Sequence, residues 1–372
     1  MKQHIIVTGG TGLIGGELIL SLAQAGHSVG ALVRADSDAQ ACKRLRARLE
    51  KSELCSPGLL DGIEAIAGDT TRPGFGVDPV RVRDASAIVH CAADTSFRES
   101  DAVWQTNVRG ATNLVDLAMH AAPAARVVFV STASVATGPT GRVIREDGGE
   151  ACHENTYTRS KREAERIVES SGLDAVIVRP SIVLSRGVRD RAMARSILWA
   201  VPIMSEIGQV PVDPASHVDL VPVDFVAHAI AELATRPNLR YRRYHVSAGD
   251  TSETFGQLLE QLVGSFPWMQ RIRALGARLR TSRAMGPLAS YIPFINADVR
   301  YCNLRLSEEI GERGLPPMAS SYLEQLFGWI SMQEAYAEMA RPKHRTRITR
   351  ATARLRDSIR RPLRSPAPCW RG

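Results

Sequence analysis

His4-Ile5-Ile6-Val7-Thr8-Gly9-Gly10-Thr11-Gly12-Leu13-Ile14-Gly15-Gly16 stands almost at the start of the chain. Its apolar run, 5–7, stops abruptly at glycines. The glycines open a helically spaced set of apolar residues, Leu13, Ile14, Leu18, Ile19 and Leu22. The pattern predicts a strand, a tight turn and a helix. In that arrangement Gly9 permits the turn, Gly12 lets a pyrophosphate approach the backbone, and Gly15 lets the helix sit close to the sheet. The N-terminus of the helix then offers free N–H groups to phosphate. A glycine-rich turn also occurs in unrelated α/β proteins, so the rest of the chain decides whether a dinucleotide sits here.

Composition bounds the answer. The chain has 372 residues, 44% hydrophobic and 23% charged, enough for one large α/β domain and a smaller appendage. Its six cysteines form no CxxC pair, which argues against a metal site and a disulfide framework and fits a reducing cytoplasm. The first predicted strand begins almost at Met1, so no secretory leader is expected, and no apolar stretch is long enough for a spanning helix. Net charge is +8, but residues 341–372 hold eleven Lys or Arg against one acid, Asp357. The rest of the chain carries 36 basic and 38 acidic side chains and is close to neutral. Basic character is thus confined to a tail, and a nucleic-acid partner for the body is not expected.

Up to about residue 180, short apolar runs at 5–7, 29–33, 63–67, 87–91, 127–130 and 175–178 alternate with helical patterns, notably 101–121 and 156–171. This predicts an α/β, Rossmann-type doubly wound parallel sheet. Arg34 ends the second strand where an acid would bind the 2′-hydroxyl of NAD. A guanidinium there favours the 2′-phosphate of NADP, with Arg44 or Lys43 as a second cation and Asp36 as the counterweight. Gly68-Asp69-Thr70 follows the third strand; Asp69 serves the adenine amino group or simply the turn. Ala92 and Ala93 leave room for a cofactor at the sheet edge, and His90 reads as a packed strand residue rather than a base.

The fifth strand runs into Ser131-Thr132-Ala133, and Tyr157-Thr158-Arg159-Ser160-Lys161 opens a helix further on. Tyr157 and Lys161 lie four apart and share a helix face. An ammonium beside a phenol lowers the phenol's pKa and helps it deliver a proton near neutral pH, while Thr132 can reach the same carbonyl oxygen.

These motifs together resemble an extended short-chain dehydrogenase/reductase, through Thr8-Gly9-x-x-Gly12-x-x-Gly15, Gly68-Asp69, Ala92-Ala93, Asn107-Val108-x-Gly110 and Tyr157-x-x-x-Lys161. The chain is most similar to the thioester reductase and fatty acyl-CoA reductase branch. That closer match lies in the run from His90 to Phe97, in Ser131-Thr132-Ala133, in Arg179-Pro180-Ser181, and from Val218 to Val226. The resemblance implies that Thr132, Tyr157 and Lys161 are catalytic: Thr132 on the substrate carbonyl, Tyr157 as proton donor, Lys161 on the nicotinamide ribose. It places the NADP(H) cofactor along Gly9, Thr11, Gly12, Leu13, Ile14, Gly15, Arg34, Arg44, Asp69, Thr70, Ala92, Ala93, Asn107, Tyr157, Lys161, Pro180 and Ile182. Asn107 would support a proton relay or the local backbone.

The domain plan is an NADP-binding region over 1–262 with substrate insertions at 181–215, a smaller, mainly helical C-terminal substrate lobe over 263–340, and a basic tail over 341–372. Apolar segments 197–204 and 288–295 suit an acyl chain, or ordinary core packing. In the tail, Ile348, Leu355, Ile359 and Leu363 fall near one helical face, which suits an anionic membrane surface or an acidic carrier protein; the prolines there suit a disordered end equally well. The expectation is a cytoplasmic, NADPH-dependent reductase of acyl thioesters on CoA or an acyl carrier protein, giving the aldehyde, with onward reduction to the alcohol left open. A ketone, alcohol or sterol dehydrogenase, a nucleotide-sugar enzyme on the same scaffold and a non-catalytic NADP sensor are the alternatives.

Overall fold

The computed structural model describes residues 2–56, 58–97, 100–136, 141–148, 155–185, 209–265, 273–274 and 292–311. Among them, β1 (His4–Thr8), β2 (Ser28–Arg34), β3 (Ile63–Gly68), β4 (Ala87–His90), β5 (Arg126–Val130), β6 (Ala175–Pro180) and β7 (Arg243–Val246) form one sheet. All of its pairings are parallel, in the spatial order β7-β6-β5-β4-β1-β2-β3. The six strands expected from the apolar runs are all present. The seventh, Arg-Tyr-His-Val, lacks such a run and takes its place by pairing with β6.

Alternation along β1 assigns the two faces. Ile5 and Val7 join a core with α1 (Leu13–Gln24) and α2 (Asp38–Leu49) on one side, and Ile6 points to the other. That second core contains α3 (Gly110–Ala121) and α4 (Thr156–Glu169). On the first face, α5 (Val223–Thr235) packs beside α1. Burial on both faces explains why the strands read as continuous Val/Ile runs. The order of strands reverses between β1 and β4, so a crevice opens outside their carboxyl ends.

The expected helix over 101–121 is interrupted. A short α-helical segment, Asp101–Trp104, passes into a π-helical turn, Gln105–Arg109, before α3. Within the expected substrate insertion, Ile182–Leu184 forms a small parallel ladder with Leu220–Pro222. Residues 197–204, 288–291 of the second apolar segment and the tail from 341 lie outside the described residues. Of the C-terminal region, 292–311 packs on the sheet domain: Arg300–Tyr301 pairs with Val143–Ile144, and Leu306 enters the first core. Among the described residues no helix is long and apolar enough to cross a membrane.

Candidate active site

The glycine turn joins β1 to α1 at the switch point. Gly9 adopts φ +73°, and Gly12 N donates to Gly9 O at 2.8 Å to close the turn. A Cβ on Gly9 would sit 2.7 Å from Ala92 N, and one on Gly15 would sit 2.4 Å from Gly9 O. Neither position tolerates a side chain. The first turn of α1 carries no acid and no capping side chain, which leaves its N–H groups to an anionic ligand.

Beyond the turn lies a cavity of about 570 Å³ whose lining includes Gly9, Gly12, Arg34, Asp69, Thr70 and Ala92. Thr11, Arg44 and Ala93 complete the set of expected cofactor residues that it brings together. An adjoining cavity of about 240 Å³ is lined by Arg34, Arg44 and Arg72 with Asp36, Gln40 and Asp69. The Arg44 guanidinium donates to the Arg34 carbonyl oxygen, which ties α2 to the end of β2. Three arginines outnumber the two acids, Asp36 and Asp69, in the lining of this small cavity and fit a phosphate monoester, and the glycine cradle fits a pyrophosphate. The residues present therefore suit a dinucleotide. Asp69 also holds its own turn: its Oδ1 accepts from Thr71 N at 2.9 Å and from Thr71 Oγ1 at 2.8 Å. Burial opposes its ionisation, but those bonds and the charges of Arg34 and Arg72 hold its pKa below the ordinary value.

The residues expected to be catalytic come from the end of β5 and from α4, next to the loop after β4. Asn155 caps α4, its Oδ1 accepting from Thr158 N at 2.9 Å, which fixes Tyr157 in the first turn. Tyr157 and Lys161 are both buried. Lys161 Nζ donates to Val130 O at 2.7 Å and lies 4.4 Å from the centre of the Phe129 ring. Burial pulls the Lys161 pKa down to about 8, against the opposing charge of Glu165. Thr132 starts a short turn, Ala133–Val135, and its Oγ1 accepts from Ser134 N at 3.3 Å. That contact uses a lone pair and not the hydroxyl proton.

Asn107 lies in the π-helical turn, 1% exposed, with its amide occupied by protein. Its Oδ1 accepts from Asp94 N at 2.8 Å, and its Nδ2 donates to Asp94 O at 3.0 Å and to Ser160 Oγ at 2.9 Å. It braces the loop after β4 against α4 and stands apart from the cavity lining. Leu13, Ile14, Gly15, Tyr157, Lys161, Pro180 and Ile182 also stand outside that lining; Gly15 acts through the close approach of the turn. His90 is packed as expected. It is held at 3.0 Å from Thr8 Oγ1, stacked between Phe75 and Phe129, and kept neutral by burial, which lowers its pKa to about 3.

Behind the site two buried carboxyl groups have different fates. Glu165 pairs with Arg179 through two bonds, Nε–Oε1 at 2.8 Å and Nη2–Oε2 at 2.6 Å. Asp219, from the Val218–Val226 motif, accepts from Ala248 N at 2.8 Å, and burial raises its pKa to about 6. The sequence reading did not single out Arg72, for which a basic residue shortly after Gly68-Asp69 was the available signal; Phe97 entered it within the 90–97 motif and Phe294 within the apolar segment 288–295. Among the described residues, no group of three or more His, Cys, Asp or Glu is placed to hold a metal ion.

Fold and cavity define a nicotinamide-dinucleotide-binding protein of the extended short-chain dehydrogenase/reductase architecture. A family model described as Male sterility protein, an NAD-binding family, matches residues 7–230, and the chain belongs to that family. It is 28% identical over 267 residues to the nonribosomal peptide synthetase asaC of Aspergillus flavus, a match that covers 66% of this chain and 26% of that protein. It is also 28% identical over 222 residues to a putative fatty acyl-CoA reductase of Drosophila melanogaster, covering 49% of this chain and 41% of the other. Among solved structures, the terminal R domain of the myxalamid PKS-NRPS biosynthetic pathway superposes with a TM-score of 0.73 at 23% identity, covering 89% of this chain and 91% of that one. This last likeness shows the fold. The chain spans about a quarter of the length of the peptide synthetases it first matches.

Proposed function

We propose that the chain is an NADP(H)-dependent reductase that converts an acyl thioester, carried on CoA or on a carrier protein, to the aldehyde. What supports the reading is that Lys161 Nζ bonds to Val130 O where β5 leads into Thr132, with Tyr157 in the first turn of the same α4. A cavity sized for a dinucleotide lies along the glycine turn, and an adjoining one is lined by Arg34, Arg44 and Arg72. The match to nonribosomal peptide synthetases and to a putative fatty acyl-CoA reductase supports the thioester as substrate.

Gly9, Thr11 and Gly12 with the α1 N-terminus would hold the pyrophosphate, and Arg34, Arg44 and Arg72 the 2′-phosphate. When bound, the reduced cofactor supplies a hydride. Thr132 and Tyr157 donate hydrogen bonds to the carbonyl oxygen and stabilise the negative charge that develops on it. The Lys161 ammonium lowers the cost of ionising Tyr157, so the phenol can pass its proton to that oxygen. The resulting hemithioacetal breaks its C–S bond, and aldehyde and free thiol leave.

Purified chain mixed with NADPH and acyl-CoA or acyl-pantetheine should show loss of reduced cofactor matched one-to-one by released thiol and aldehyde. Turnover of ketones or aldehydes without thiol release from any thioester would replace this reading with a carbonyl reductase. Tyr157→Phe is expected to lower kcat by about 10² to 10⁴, the usual range for a positioned proton donor. Unchanged turnover in that variant would remove Tyr157 from the mechanism.

A further inference from the structure

Lys161 carries its ammonium into the interior without a carboxylate to pair with it. Its Nζ donates to Val130 O, and among the described residues no carboxylate oxygen lies within ion-pair distance. Glu165, one turn further along α4, spends its oxygens on Arg179, at 2.8 and 2.6 Å, and on Arg162, at 3.1 Å. Asp94, in the loop after β4, turns its Oδ1 to Ser96 N at 2.9 Å. A buried charge with a single carbonyl partner is costly unless something else offsets it.

The remaining contact is the ring of Phe129. Lys161 Nζ lies 4.4 Å from its centroid, inside the range in which an aromatic face attracts a cation. Phe129 is fully buried and held in a row of rings. His90, its partner across the β4–β5 ladder, stacks on it at 5.7 Å with planes 11° apart, and Phe75 stacks on His90 at 5.8 Å. The next residue along β5 is Val130, so one strand end supplies both contacts of the ammonium. The other titratable groups around it are His90, Cys91, and Tyr157 and Glu165 on its own helix, with Arg162 and Arg179 paired to Glu165. Burial keeps His90 neutral, its pKa down at about 3, and keeps Cys91 a thiol, its pKa up at about 12. Neither adds a negative charge.

We infer that Phe129 is the positioning residue of Lys161: the face of its ring, and not its bulk alone, holds the ammonium charged on the side of α4 that carries Tyr157. The contact stands by itself, while its role in turnover rests on the reading of Lys161 as the group that assists Tyr157. Val128 and Val130 on either side show that the strand itself asks only for apolar bulk. Leucine at 129 would fill the core as well and leave the charge with one carbonyl. A phenyl ring adds the electrostatic attraction of its face, which is strongest where water is excluded.

The chain has five lysines, so the Nζ signal of Lys161 can be followed by NMR in protein carrying isotope-labelled lysine and identified by its loss in Lys161→Met. Phenylalanine at 129 is replaced in turn by its 4-fluoro, 3,4-difluoro and 3,4,5-trifluoro analogues, which keep the shape of the ring and drain charge from its face. Each added fluorine is expected to lower the titration midpoint of Lys161, and Phe129→Leu should lower it by about one pH unit. The alkaline limb of kcat/KM should move down in pH by the same steps. His90 and Cys91 keep their protonation states between pH 6 and 10 and do not confuse the reading. Equal midpoints across the fluorinated series would overturn the inference, even with activity lost in Phe129→Leu, because packing alone gives that pattern. The fluorinated chains decide the matter if Phe129→Leu fails to fold. Midpoints that step down in a chain without thioester turnover would support Phe129 and refute the proposed reaction; equal midpoints in an active chain would do the reverse.

Discussion

Lys161 anchors its ammonium on the carbonyl oxygen of Val130, 2.7 Å away, at the end of the strand that leads to Thr132. One hydrogen bond therefore sets α4, which carries Tyr157, at a fixed height on β5, which delivers Thr132. The same burial that makes this bond durable pulls the Lys161 pKa from 10.5 to about 8.

That value gives opposite pH signs for activity and stability. Only the charged ammonium assists Tyr157, so kcat/KM of the free enzyme should fall as pH rises above about 8. Between about 8 and 10.5 the unfolded chain binds this proton more than the folded chain does, so the Lys161 contribution to stability rises with pH over that window. A kcat/KM profile and thermal melts taken from pH 7 to 10 check both signs. A rate that holds flat to pH 10 would show that Lys161 is not the titrating group.

The arginine-lined cavity should discriminate between the two nicotinamide cofactors. Each guanidinium–phosphate contact is charge-assisted, so Arg34→Gln or Arg72→Gln should weaken NADPH by about tenfold or more and leave NADH nearly unchanged. Arg44→Gln is expected to weaken both, because Arg44 also holds the Arg34 backbone. Dissociation constants for the two cofactors, measured side by side, decide it; equal affinities in the wild-type chain would remove the NADP assignment.

Arg179 and Glu165 form an ion pair with almost no solvent contact, 2% and 0% exposed at their side chains. Removing one partner strands the other charge, so Glu165→Gln or Arg179→Met should cost about 3–5 kcal/mol of stability. Replacing both, as Glu165→Leu with Arg179→Met, should recover most of that loss. Urea unfolding of the three variants tests this, and a double variant as unstable as the two single losses added together would contradict it.

The sheet was legible in the sequence because a strand buried on both faces writes itself as a short apolar run, and six such runs became β1 to β6 in order. The glycine turn and the Tyr157–Lys161 pair were legible for the same reason: their chemistry lies within a few residues of chain. What escaped depends on partners far away in sequence. Arg243–Val246 is a strand because β6 offers it an edge, and the π-helical turn at Gln105–Arg109 lies where Asn107 meets both Asp94 and Ser160. Arg72 becomes a phosphate candidate only once β3 lies beside β2 and brings it to Arg34. Phe97 and Phe294 become neighbours only when the C-terminal segment has packed.

The space missing at Gly9 bears on how such a domain can be altered. A Cβ there would lie 2.7 Å from Ala92 N, and that same N–H reaches Thr8 Oγ1 at 3.2 Å. The nucleotide turn and the exit of β4 are thus cut to one another's outline, like a key and its ward. A turn transplanted from another protein, or a bulkier residue chosen at either site to retune cofactor choice, would have to bring the opposite surface with it. Engineering here proceeds by matched pairs, and the freer variables lie further out, among the arginines of the adjoining cavity.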